Sequence, residues 1–448
     1  MSLYALIAIA FLAASSAPTP LYPIYQDELA ASPIVMTVVF ATYPVALMLA
    51  LLTGGSLSNH WGRRAVVSGA LGLQIVAVIV FLSADSATLL VTARALQGFA
   101  TGAATSAFGA ALVDLHETRG SVTNSIVPIA GMALGALGSS IVVATSSVPA
   151  TSVFTILLVV FGVLLATSFF LPETTTPRPG ALQSLAPRVR IPGAARGATW
   201  TVAPVLVAVW AVGGFVMSLG PNLAGELTGS DSALLGGWLV FAVAGTGAVT
   251  VLALMRRPAM FAFITGSAAL AAGLGMMVAA TFVDSTWMLY AGAVVSGYGF
   301  GAGFQGALRT VLPLAGAAER AGLLAGVYVI SYLANALPSI GAGIVDTVWG
   351  LRVSVDVFGT VVIALALIGL IGMARSSRVR GLQPESAGQR AEPLHGSFDV
   401  GELGVVRLVD GHSDVAGVNA LERQRRLDAG EIAADDVDGV IDRCLRGV

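Results

Sequence analysis

A lone arginine, Arg94, stands inside a long apolar run and shares a helical face with two glycines, since Arg94, Gly98 and Gly102 recur at i, i+4 and i+8. A guanidinium near the centre of a membrane-crossing helix costs about 2.5–3.5 kcal/mol on insertion scales, so it should face a wet cavity or a partner. With Gln97 one turn away, the set suits substrate binding or proton coupling. The plainer reading is an arginine that snorkels to the outer interface.

Polar stripes elsewhere point to the same interior. Tyr328, Ser331, Tyr332, Asn335 and Ser339 fall on one helical face, and Ser15, Thr19, Tyr22 and Gln26 repeat at helical spacing on another segment. Ser15, Thr19, Trp210, Asn222, Tyr298, Gln305, Tyr328, Ser331, Tyr332 and Asn335 are therefore candidates for a cavity lining. Their mix of Trp, Tyr, Ser and Asn suits a modest amphipathic organic solute. Serines in membrane helices often bond only to their own backbone, and Tyr22, Gln26 and Asn222 lie near enough to a helix end to be an interfacial belt or a gate.

The composition names the solvent these elements need. Of 448 residues, 56% are apolar and only 11% charged, with a mean hydropathy of +0.85. A soluble domain carries about a quarter of its residues charged, so this chain cannot coat a water-facing surface and belongs in a bilayer. A net charge of −2 without a basic run gives nucleic acid no purchase. The single cysteine, Cys444, excludes an internal disulfide, and His60, His116, His395 and His412 are scattered, so neither metal nor cofactor is expected. The G-x-G-x-x-G match at Gly301–Gly306 lies in an apolar helix with no strand before it and reads as helix packing. No G-x-S-x-G, phosphate loop or paired active-site acids appear, so an enzyme is not expected.

Runs of about 20 apolar residues cross the hydrocarbon core as helices. They occur near 3–25, 33–54, 65–84, 87–113, 121–145 and 148–171, then near 200–222, 232–255, 259–282, 285–314, 321–345 and 353–374. The first lacks the basic leader of a cleaved signal and reads as a true span. The fold class is all-α: a membrane protein of twelve transmembrane helices in two pseudo-symmetric six-helix halves, 1–171 and 200–374, joined by a Pro- and Arg-rich linker over 172–199. The halves echo each other, Gly98 and Gly102 matching Gly297 and Gly301, and the prolines of span one matching Pro221. Arg63, Arg64, Arg119, Arg178, Arg188, Arg190, Arg196, Arg256, Arg257, Arg309 and Arg320 lie in loops on one side, and essentially only Arg352 on the other. By the positive-inside rule both termini are cytoplasmic and the protein sits in the inner or plasma membrane. Residues 375–448 hold nearly half of the charged residues. They read as a disordered cytoplasmic tail, with an altered reading frame after span twelve as the alternative.

The segment Gly55-Ser-Leu57-Ser-Asn59-His-Trp-Gly62-Arg63-Arg64, between spans two and three, resembles the signature loop of the major facilitator superfamily, G-x-L-a-D-r-x-G-R-R. Arg94-Ala-Leu-Gln97-Gly98-Phe-Ala-Thr-Gly102 resembles that superfamily's R-x-x-Q-G-x-x-x-G, and Leu171-Pro-Glu-Thr174 is also typical of it. The resemblance covers residues 1 to about 375. It implies a gating loop of Gly55, Asn59, Gly62, Arg63 and Arg64, with Asp114 pairing one arginine, and a coupling or substrate role for Arg94, Gln97, Gly98 and Gly102. Asn59 replaces the usual aspartate, so the charge network is expected to rest on Asp114 alone. No carboxylate lies deep in any span, which leaves the coupling ion open.

The expected function is secondary active transport of a small organic solute by alternating access, as a proton-coupled exporter of drug-like or metabolite compounds. Uptake of a sugar or organic acid is the alternative within transport, and a non-transporting receptor or scaffold the alternative class. Partners are then a small-molecule substrate, protons and the lipid bilayer, around a monomer.

Overall fold

The computed structural model describes residues 1–185, 189–316 and 319–382, with side chains to residue 375. Among these residues the chain is helical, without a strand. We number the spanning helices α1 (Ser2–Glu28, with a break), α2 (Pro33–Gly54), α3 (Arg63–Leu82), α4 (Ala87–Leu115), α5 (Glu117–Thr145) and α6 (Pro149–Ser168). The second half comprises α7 (Gly193–Ser218, extended by Gly220–Thr228), α8 (Ala233–Ala253), α9 (Ala259–Val283), α10 (Thr286–Val311), α11 (Arg320–Trp349) and α12 (Leu351–Leu382). Ten of these are long and apolar enough to cross a membrane. The other two, α4 and α10, have 29 and 26 residues but are diluted by Arg94, Gln97 and glycine. α7 begins at Gly193, inside the expected linker, because the small residues after Pro192 accept helical geometry. The expected tail lies, from residue 383 on, outside the described residues.

Prolines and glycines shape the elements. α2 and α6 each start with proline in the first turn, where its missing N–H is no loss. In α1, Ser2–Ser16 gives way to a 3₁₀ turn at Thr19–Leu21 and resumes over Tyr22–Glu28. α7 breaks in the same place, at Leu219 before Pro221. Gly98 and Gly102 let α4 press against the backbone of α2 at Tyr43 and Leu47. Gly297 and Gly301 seat α10 on α8 at Val243 and Gly247 in the same way. Gly301 and Gly306 of the G-x-G-x-x-G run meet neighbouring helices, as packing requires.

The halves meet through α2 on α11, α5 on α8, and the extensions of α1 and α7. The hydrogen bonds that join the halves directly, among the described residues, lie at the end away from the arginine-rich loops. There Asn222 donates to Gln26 Oε1 at 3.1 Å and the Ile34 amide to Thr347 Oγ1 at 3.1 Å. Thr37 packs on Gly343 and Ser140 on Gly237 beside them. At the opposite end, among the described residues, the linker bridges, with Ser184 O accepting from Ser56 Oγ at 2.9 Å and Gly322 O from the Arg190 amide at 3.3 Å.

Candidate functional site

The break in α1 explains why α4 carries its polar residues. Ala17 and Pro18 keep right-handed helical dihedrals, so the chain stays coiled while Pro18 supplies no N–H for the Ala14 carbonyl. Gln97 Nε2 donates to that carbonyl at 2.9 Å. Arg94 Nη1 donates to the Ser15 carbonyl at 2.9 Å, and Ser139 of α5 to the Ala17 carbonyl at 2.6 Å. Buried carbonyls at the break are thus capped from two neighbouring helices. A hydrogen bond of this kind contributes about 1 kcal/mol in a membrane interior. Gln97→Leu is therefore expected to destabilise the protein by about 1 kcal/mol, and by less in a Pro18→Ala background that restores an N–H at position 18. Thermal unfolding of the single and double variants in detergent checks this. Equal costs in both backgrounds would mean that Gln97 does not serve the proline break.

Arg94 is fully buried. Besides Ser15 O it donates to Gln97 Oε1 at 2.7 Å and to the Tyr22 hydroxyl, while its Nε has no partner. Its guanidinium carbon lies 5.6 Å from the Tyr22 ring, 6.0 Å from Phe40 and 5.2 Å from Tyr43. Aromatic faces and carbonyl oxygens solvate the guanidinium where no carboxylate pairs with it among the described residues. Snorkelling is ruled out by this burial. Gly98 and Gly102, one and two turns on, meet α2 rather than any open space.

Toward the other half, an aromatic group occupies the interior. Trp210 of α7 makes edge contacts with Phe304 at 5.6 Å and Tyr332 at 5.0 Å, and a tilted one with Phe300 at 6.5 Å. Tyr328 lies 6.1 Å from Tyr332. All five rings are half-buried. Asn335 donates to the Trp210 carbonyl at 3.1 Å, fixing the face of α11 against α7, while Ser339 bonds back within α11 to the Asn335 carbonyl at 2.7 Å. Phe300 also lines an apolar crevice with Ile129, Met132, Val216, Val240 and Val243, between α5, α7, α8 and α10.

Other candidates lie elsewhere. Tyr298 donates to Thr265 Oγ1 of α9 at 3.0 Å, because two residues along α10 turn it about 200° from Phe300. Gln305 donates to the Val251 carbonyl of α8 at 3.1 Å. Asn222 belongs to the seal with Gln26. Ser15 bonds to the Leu12 carbonyl at 2.6 Å, and Thr19 is fully buried with its hydroxyl unpartnered. Phe40, Tyr43, Phe300 and Phe304 complete the interior surface and were missed, since aromatic residues in an apolar run carry no pattern of their own.

The signature loop forms a second cluster. Of the two arginines, Arg63 pairs with Asp114, at 3.3 Å, and donates to Ser58 Oγ at 2.6 Å. Among the described residues the Arg64 side chain donates to the Phe169 carbonyl, at 3.5 Å. The network does not rest on Asp114 alone. Glu173 Oε1 and Oε2 accept from the Arg63 and Arg64 backbone amides at 2.7 and 3.1 Å, placing a carboxylate on the positive N-terminus of α3. Thr174 adds a hydrogen bond to Asp114 at 2.9 Å. Asn59 is exposed, and Gly55 keeps a tight helical turn against the Leu51 carbonyl. The only sequence signal for Glu173 is Leu171-Pro-Glu-Thr174.

A family model described as the Major Facilitator Superfamily matches residues 4–335. No curated protein matches the sequence. Among solved structures, the human organic anion transporter MFSD10 (TETRAN) is similar at 17% identity and a TM-score of 0.60, covering 82% of this chain and 98% of its own. The xylose transporter XylE from E. coli, in a partially occluded inward-open conformation, aligns at 14% identity and a TM-score of 0.63, covering 82% and 95%. A bacterial homologue of the human lysosomal transporter Spinster, inward-facing and occupied, aligns at 14% and 0.65, covering 84% and 96%. At these identities the likeness is one of fold.

Proposed function

The chain belongs to the major facilitator superfamily, a family of multi-pass membrane transporters rather than enzymes, and from that premise we propose that it exports a small amphipathic organic solute by proton-coupled alternating access. The observation that supports this reading most is the pairing of a sealed end with a half-buried aromatic interior. Gln26, Asn222, Ile34 and Thr347 close one end, while Trp210, Tyr328 and Tyr332 remain only half-buried. With the arginine-rich loops taken as cytoplasmic, the conformation faces inward, with both termini in the cytoplasm of a cell whose inner or plasma membrane holds the protein as a monomer. The Arg63–Asp114–Glu173 cluster then braces the cytoplasmic end of the first half, and its contacts change as the halves rock. Arg94 supplies the charge on which coupling turns.

Proton flux into proteoliposomes, challenged with anionic, neutral and cationic compounds, tests the proposal. Compound-dependent proton movement is expected in the wild type and at least a tenfold loss in Arg94→Ala. Labelled solute that equilibrates without proton movement would remove the coupling and leave a facilitator.

A further inference from the structure

We propose that the solute is an organic anion with a flat apolar body, bound with its carboxylate or sulfonate toward Tyr43 and its body against Trp210; this rests on the transport reading above. The first ground is charge. Arg94 is fully buried, and among the described residues no carboxylate faces it, since every Asp and Glu lies within two turns of a helix end or in a loop. Carbonyls and rings solvate the guanidinium but do not cancel its charge. In a low-dielectric interior one uncancelled positive charge gives its surroundings a positive potential, which favours an anion and repels a cation.

The second ground is the kind of polar atom left unsatisfied. Trp210 Nε1 and Ser331 Oγ are buried without a hydrogen-bond partner, and Tyr43 OH makes no hydrogen bond of good geometry, with the Ser15 and Thr101 side chains beside it. Trp Nε1 can only donate, and the two hydroxyls can both donate. Buried groups of this sort cost free energy until something pairs them, and an oxyanion pairs donors. Tyr43 connects the two grounds: its ring lies 5.2 Å from the Arg94 guanidinium, and its hydroxyl is one of the groups left without a well-formed hydrogen bond. The third ground is shape. Trp210, Phe300, Phe304 and Tyr332 form an edge-on cluster that continues into the apolar crevice of α5 and α8, a surface suited to a planar ring system. An anion of this kind would also be driven out of a cell by an inside-negative potential, in the direction of export.

Three ligands with one body separate charge from shape: 2-naphthoate, 2-naphthalenemethanol and 2-naphthylmethylamine. Titration calorimetry on the full-length protein in zwitterionic nanodiscs, with empty discs subtracted, should show naphthoate at least tenfold tighter than the amine, and the alcohol between them. Arg94→Gln should bring naphthoate and alcohol to equal affinity. Tyr43→Phe keeps the arginine and its ring contact, and should lower naphthoate affinity three- to tenfold with little change in the amine. Trp210→Leu should weaken all three alike. An amine that binds as tightly as naphthoate overturns the proposal, and so does a naphthoate affinity that Tyr43→Phe leaves unchanged, whether or not Arg94→Gln folds. If proteoliposomes move solutes yet none of the three ligands binds, the anion inference fails and transport stands. If naphthoate binds with the stated preference and nothing is moved, the transport reading fails instead.

Discussion

Gly98→Ala is expected to destabilise the protein by about 2–3 kcal/mol, and Gly98→Val by more, although both replace glycine in a helix that intrinsically prefers alanine. The reason lies across the interface. A Cβ at position 98 would overlap the Tyr43 carbonyl and come within 2.9 Å of the Ala46 Cβ, and backbone cannot swing aside as a side chain can. α2 would have to withdraw, taking with it Phe40 and Tyr43, two of the rings that solvate Arg94. Gly297→Ala should cost a similar amount, because its Cβ would stand 2.5 Å from the Val243 carbonyl of α8. Gly138→Ala and Gly275→Ala are the controls, with nothing within 4 Å of the added atom. These should be neutral or stabilising by up to about 1 kcal/mol. Thermal unfolding monitored by size-exclusion chromatography reads all five variants. A Gly98→Ala protein as stable as its Gly138→Ala counterpart would show that α2 and α4 are not so close.

Gly62→Ala and Glu173→Ala are expected to be costly singly and sub-additive together. Gly62 has φ 96° and ψ 149°, a backbone region essentially reserved for glycine, and an alanine there stores about 1–3 kcal/mol of strain. Its Cβ would also stand 2.5 Å from Glu173 Oε2 and push the carboxylate off the α3 amides. Glu173→Ala removes the same two charge-assisted bonds directly, at about 1–2 kcal/mol. Since part of each loss is the same interaction, the double variant should cost about 1 kcal/mol less than the sum. Transport should fall with both, because Arg63, whose amide Glu173 holds, is the partner of Asp114. Strict additivity in the double-mutant cycle would separate the glycine from the carboxylate and leave Gly62 a purely conformational role.

Some of this site was open to reading from the chain and some was not. Arg94 announces itself because a charge among apolar neighbours is conspicuous at any depth, and Gly98 and Gly102 because a close helix approach needs small residues at helical spacing. The stripe from Tyr328 to Ser339 was legible for the same reason, and the structure turns Asn335 and Ser339 toward α7. Tyr298 and Gln305 looked equivalent to it in sequence but face α9 and α8. Glu173 stands 110 residues from Arg63, and no local pattern joins them.

What the sequence determined by itself was whatever depends on one helix and its solvent. Apolar runs of bilayer length set the spans, the arginine loops set an expected direction, and prolines at 18, 20 and 221 set the breaks. Tertiary structure alone decided which face of each helix meets which neighbour. In water, polarity sorts the faces of a helix, because one side is wet and the other dry. Here lipid and protein interior are equally apolar, so Tyr43 and Phe300 carry no mark of where they point. Their place comes from packing against glycine, Tyr43 on Gly98 and Phe300 on Gly213 and Gly247.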